Sequence, residues 1–176
     1  VTGVSVSENS ISIATGIATG AGDDIILNSG SIITRVVNDA AGTAIITGAG
    51  NDMVILDELS STVGEIALVA DNDTLHVIGT LVMSGEVLPG EGANSVMLGG
   101  AGSFKPDLTG FNDMARKQGV GSYGVPELPT MQLLDIEAGT LQTDSDYQFA
   151  TVGMLQTQIN SDGSYGKLYV VGAASL

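Results

Sequence analysis

From Val1 to Gly102 the apolar residues fall in short runs and never as a stripe spaced for a helix face. The runs occupy 4–6, 11–13, 25–27, 32–37, 44–46, 53–56, 66–69, 75–78, 81–83 and 96–98. Gly, Asn, Asp, Ser or Thr bounds each one, which is turn chemistry. The pattern predicts many short strands. The clearest covers 167–171, where Leu168 and Val170 share one face while Lys167 and Tyr169 share the other. Asn160-Ser161-Asp162-Gly163-Ser164 before it reads as a tight turn, with Gly163 free to take positive φ, and Gly172 ends the strand.

A turn motif repeats. Thr19-Gly20-Ala21-Gly22-Asp23-Asp24-Ile25-Ile26 recurs as Thr47-Gly48-Ala49-Gly50-Asn51-Asp52-Met53-Val54. Looser copies begin at Ala70 and Gly92, so that positions 23, 51, 72 and 94 align with offsets of 28, 21 and 22. One turn motif per 20–30 residues is the signature of a solenoid. A single coil cannot bury its apolar face, whereas stacked coils share a continuous core, and Asn or Asp at one turn position would stack coil upon coil. The chain is therefore expected to be all-β, a right-handed parallel β-helix of about four to six coils with a C-terminal β cap. The coils are assigned to 1–102, an excursion to 103–130 and the cap to 131–176.

The excursion is read from a change in composition. Between 103 and 130 lie three of the five basic residues (Lys105, Arg116, Lys117), two of the three Phe (Phe104, Phe111) and three of the four Pro (Pro106, Pro126, Pro129). The coil rhythm breaks there, and a short helical turn is expected over 109–118. Two readings stay open. The segment is a flap over the core, or it contacts a partner through Phe104, Lys105, Phe111, Arg116, Lys117 and Tyr123. On either reading, alanine at all three basic positions should leave the melting temperature nearly unchanged.

Composition narrows the function. The 176 residues carry 20 acids against 5 bases, a net charge of −15. Nucleic acid and anionic membrane surfaces both call for a basic patch, so neither is an expected partner. The acids read as a solvated exterior that discourages edge pairing, with a calcium-loaded surface as the alternative. Cysteine is absent, which removes disulfides and thiol chemistry. No apolar run approaches the ~18 residues of a membrane-spanning helix. The chain begins mid-pattern at Val1, and both ends are expected to be cut from a longer protein.

Candidate chemistry is sparse. The single histidine, His76, alternates with Leu75 and Val77 and is expected to face outward, with no second His or Cys to complete a zinc site. Gly119-Val120-Gly121-Ser122-Tyr123-Gly124 matches a dinucleotide-binding spacing, but no strand precedes it and Pro126 follows, so it reads as a loop. The stretches 19–27 and 47–55 approach a calcium-binding nonapeptide repeat at Asp24 and Asp52, yet the 28-residue spacing breaks the tandem ladder such sites need. Asp71/Asp73 and Asp144/Asp146 read as solvated turns. No enzyme activity, cofactor or metal is expected.

The C-terminal residues carry a family resemblance. Gly139, Thr140, Leu141, Asp146, Tyr147, Leu155, Tyr165, Gly166, Leu168, Val170, Gly172, Ala174 and Leu176 stand in a pattern that resembles the autochaperone region of bacterial autotransporter passengers. The resemblance covers under a quarter of the chain. It implies a passenger segment, exported through the outer membrane to the bacterial cell surface or beyond, whose own translocator β-barrel follows it. Its last rungs would fold first and template the rest, with Tyr147, Leu155, Leu168, Val170 and Gly172 building the cap. The implied role is adhesion or cell association through a host or bacterial surface receptor. The alternatives are the non-catalytic stalk of an autotransporter protease or esterase, and a calcium-binding β-roll module.

Overall fold

The computed structural model describes residues 2–5, 15–36, 42–78, 82–103, 108, 110–128, 131–145, 147–148 and 152–175. Among them there is no helix. The chain winds, and each winding lays strands on those of the winding before. The first winding has β1 (Thr2–Ser5), β2 (Thr15–Ala21) and β3 (Ile25–Asn28). The second has β4 (Ser31–Val36), β5 (Thr43–Ala49) and β6 (Met53–Leu56), and the third β7 (Ser61–Val63), β8 (Glu65–Ala67) and β9 (Thr74–Ile78). The fourth has β10 (Val82–Ser84), β11 (Val87–Leu88) and β12 (Ser95–Gly99). Then come β13 (Gly102–Ser103) with β14 (Met114–Gln118), and β15 (Ser122–Val125) with β16 (Met131–Ile136). The last winding has β17 (Thr140–Thr143), β18 (Tyr147–Gln148) and β19 (Val152–Thr157), followed by β20 (Lys167–Val170) and β21 (Ala174–Ser175).

Every named strand pair is parallel, and the sheets are long. One runs through seven windings in the order β19-β16-β14-β12-β9-β6-β3. Four-stranded sheets β1-β4-β7-β10 and β11-β8-β5-β2 flank its first part, and β13-β15-β17-β20 flanks its second. The architecture is a β-solenoid-like stack. It has more windings than the four to six expected, because windings within 103–136 lack the turn motif that marks the earlier ones.

Register turns the sequence pattern into a core. Ile26, Val54, Leu75, Val96, Ala115, Leu134 and Leu155 occupy one column of the seven-stranded sheet. From Val54 to Leu134 this column is at most 1% exposed. Ile45, Ile66 and Val87 form a second inward column on the flanking sheet. Tyr123, Leu141 and Leu168 form a third on the later one. Parallel pairing in register places like against like, so side chains from one winding close the apolar surface of the next.

The segment 103–130 differs from the sequence expectation. The helical turn expected over 109–118 is not formed, since Met114–Gln118 is a strand in register with both β12 and β16. Ser122–Val125 likewise continues a sheet. Among the described residues, each winding here contributes one flanking strand in place of two. Larger side chains fill the remaining space, and Leu108, Phe111, Tyr123 and Leu128 are all buried. The aromatics Phe111 and Tyr123, which helped suggest an excursion, belong instead to the filling of the core.

The turns between flanking sheet and main sheet use two residues of positive φ per winding. They are Gly48 (113°) and Gly50 (131°), then Val69 (75°) and Asp71 (78°), then Gly90 (79°) and Gly92 (109°). A Cβ at Gly48 would collide with the Gly20 carbonyl, and one at Gly92 with the Asp71 carbonyl, so stacking itself demands glycine there. Val69 is a β-branched residue held where its neighbours in the stack are glycine. Val69→Gly is accordingly expected to raise stability by about 1 kcal/mol, read as a higher urea midpoint with unchanged slope.

Candidate functional site

The most organised polar feature is a pair of hydrogen-bond ladders along these turns. In the inner ladder each side chain accepts the backbone N–H of the winding before it. Asp24 N–H donates to Asp52 Oδ1 (2.8 Å) and Asp52 N–H to Asp73 Oδ1 (2.8 Å). Asp73 N–H then donates to Asn94 Oδ1 (2.8 Å) and Asn94 N–H to Asn112 Oδ1 (3.0 Å). The outer ladder runs the opposite way. Asn51 N–H donates to Asp23 Oδ1 (2.8 Å), Asn72 N–H to Asn51 Oδ1 (3.2 Å) and Ala93 N–H to Asn72 Oδ1 (2.8 Å). The repeat therefore stacks Asn and Asp coil upon coil, but Asn94 belongs with the inner row of 24, 52 and 73, one place from the alignment made on sequence.

The middle rungs of the inner ladder are buried. Asp52, Asp73 and Asn94 are 2%, 1% and 0% exposed, which corrects the reading of Asp73 as a solvated turn; Asp71 beside it is exposed. Asn94 uses its whole amide, since Nδ2 donates to the carbonyls of Pro89 (3.1 Å), Gly90 (3.5 Å) and Glu91 (3.4 Å). The acids do not match it, for Oδ2 of Asp52 and of Asp73 have no hydrogen-bond partner. Burial pushes the Asp73 carboxyl up to about 6, the charges of Asp52 and Asp71 add to the rise, and the Asp52 N–H opposes it. Among the described residues no group of three or more His, Asp or Glu is placed to hold a metal ion.

The described members of the expected partner-contact set do not form an exposed surface. Phe104 and Lys105 lie outside the described residues. Phe111, Lys117 and Tyr123 are 0% exposed and present no side chain at the surface, and burial pushes the Tyr123 phenol up to about 12. Arg116 remains partly accessible and is engaged by Asp135 (3.0 Å) and Glu137 (3.4 Å) across neighbouring strands. Lys117 sits in an inward column between Leu98 and Ile136. Its Nζ donates to the carbonyls of Gln118 (2.7 Å), Gly119 (2.8 Å) and Ala138 (3.5 Å), and burial lowers its pKa. It is a structural cation that gathers the carbonyls of the turn after β14. Gly119 and Gly121 belong to that turn with φ of 71° and 97°, and the strand Ser122–Val125 follows where a dinucleotide site needs a helix.

The cap residues fall together. Leu155, Leu168 and Val170 pack against the core cluster. Gly172 is exposed just beyond β20. Tyr147 lies on β18, paired with Ala174 on β21, and its side chain is outside the description. Asn160 N–H donates to the Ser164 carbonyl (2.8 Å) and Gly163 has φ of 82°, forming the expected turn. Gly166 is buried, and a Cβ there would collide with the Ile136 carbonyl. His76 is half-buried on the outward face of β9, flanked in the chain by fully buried Leu75 and Val77, and burial lowers its pKa. Sequence reasoning missed the buried acids Asp52, Asp73 and Asp135. The signal for the first two was their place one residue before each strand, in line with Asn94.

Comparison with protein-family models, with curated proteins and with solved structures finds no match.

Two substitutions test these assignments. Lys117→Ala removes the donor to three turn carbonyls and leaves a cavity at a fully buried position, so it should cost about 3 kcal/mol in urea unfolding. That reverses the neutral outcome the sequence suggests for alanine at this position. Asn94→Ala removes the acceptor of the Asp73 N–H and the donor to three carbonyls, and should likewise cost about 3 kcal/mol. A loss below about 0.5 kcal/mol at either site would remove it from the load of the fold.

Proposed function

We propose that the chain is a segment of an autotransporter passenger, a right-handed parallel β-helix carried to the bacterial surface or released from it. It acts in adhesion or cell association, and its C-terminal part promotes folding and secretion of what precedes it. The observation that carries this reading is the arrangement of the terminal motif. Leu141, Leu168, Thr143 and Val170 pair in register on β17 and β20, and Leu155 ends the inward column that runs through the main sheet. Gly166 is required where the motif has its glycine. A last winding built this way offers a formed parallel edge and an apolar end to the winding before it, and burial of about 25 cal/mol per Å² rewards each addition. Such stepwise gain biases outward movement without a nucleotide. Ile25 and Leu27 on β3, at one edge of the seven-stranded sheet, are 75% and 64% exposed, which supplies apolar surface for association with a receptor on another cell.

The test is export. Fused ahead of an outer-membrane translocator barrel, the wild-type chain should become accessible to protease on intact cells and should promote cell–cell clumping. Leu168→Asp places a carboxylate against the core with no partner and should abolish both. Export of Leu168→Asp at the wild-type level would overturn the folding role, and normal export without clumping would overturn the adhesive one.

A further inference from the structure

Asp73 and Asn94 occupy successive rungs of one ladder and do the same thing with one oxygen. Each Oδ1 accepts the N–H of the rung before, at 2.8 Å. They differ at the other atom of the planar group. In Asn94 that atom is an N–H donor directed at the carbonyls of its own turn, Pro89, Gly90 and Glu91. In Asp73 it is Oδ2, an acceptor with no partner on a side chain 1% exposed. An ionised carboxylate there has nothing to receive from, while a protonated one has a donor to offer, as the amide does.

Among the described residues no compensating positive charge acts on Asp73. Asp24 and Asp52 stand below Asp73 in the ladder, and Asn94, Asn112 and Asp113 above it. Asp71 lies on its own turn, Asp23 and Asn72 on the outer row, and Glu91 on the next turn. His76, three residues along, is on the outward face while Asp73 faces inward. These turns contribute no lysine or arginine.

We propose that the turn at Asp73 is a proton-operated latch, in which Oδ2 carries a proton in the locked stack and its loss loosens the join between the windings of Asp52 and Asn94. The raised carboxyl agrees, holding its proton to about 6 when folded and releasing it near 3.8 when unfolded. Between those values the folded chain binds more protons than the unfolded one, so stability is full below the lower value and falls as pH rises through the window. Asparagine already fills the same role at positions 94 and 112, which makes Asp73→Asn the natural permanently locked form.

The experiment compares thermal melting of the wild-type chain and Asp73→Asn from pH 4 to pH 8, with carbon-13 titration of the aspartate carboxyls alongside. Acids other than the neighbours Asp52 and Asp71, whose charges act on Asp73, contribute equally to both chains, so the difference reports on position 73 and that pair. The wild type should lose several degrees more than Asp73→Asn as pH rises, and the Asp73 resonance should titrate with a midpoint above 5. Parallel curves for the two chains would overturn the latch. So would an Asp73 midpoint below 4.5, a reading that holds even if the variant folds poorly. Stabilisation of the wild type at pH 8 by millimolar calcium, lost in Asp73→Asn, would overturn it in favour of a cation at the same oxygen.

Discussion

Everything in this fold depends on parallel, in-register stacking of inward columns. A winding of about 20 residues cannot enclose a core of its own, and its apolar side chains are shielded only by the winding on either side. The column from Val54 through Leu75, Val96 and Ala115 to Leu134 is buried because each member covers the next. A slip of one residue would turn the whole column to solvent. Register is therefore the quantity the rest of the chain has to fix.

The turns fix it. Two opposed ladders of Asp and Asn side chains tie each turn to the next, one through Oδ1 of 52, 73, 94 and 112, the other through Oδ1 of 23, 51 and 72. A slipped winding would leave both ladders unmade, with buried N–H groups orphaned. Glycines of positive φ let the turns approach closely enough for these bonds. Where the main-sheet turn motif ends, Lys117 takes over as a donor to turn carbonyls, and Arg116 bridges to Asp135 and Glu137 on the neighbouring winding. The same closeness that secures register also buries carboxylates, so the chain carries at Asp73 an acid where a neutral amide would be easier to keep.

The sequence discloses the solenoid where period-two alternation and the turn motif coincide, as at 53–56 and 74–78. It conceals it at Met114–Gln118, because Lys117 occupies an inward place and hides the alternation. A lysine can do this only when carbonyls converge on its Nζ, and those carbonyls come from Gln118, Gly119 and Ala138, the last a full winding away. Phe111 and Tyr123 looked like contact residues for a related reason: both are fully buried by the stack, which local pattern does not disclose. The acids were legible as turn formers but not as buried groups, since burial at Asp73 arises from the windings above and below. The terminal strands were the reverse case, with Leu168 and Val170 readable from alternation and found packed against the core.

The proposed passenger role rests on this stacking, since a chain that grows by addition to a formed end needs each winding to lie on the one before. The most direct measurement is the distance along a single column. Leu27 and Gln156 lie on exposed positions of β3 and β19, at opposite edges of the main sheet and six strand steps apart. At about 4.8 Å per step, spin labels there should give a narrow distance distribution near 29 Å by pulsed electron resonance. A distribution centred below about 20 Å would mean that the two ends of the column are not separated by the intervening windings, and would contradict the stack.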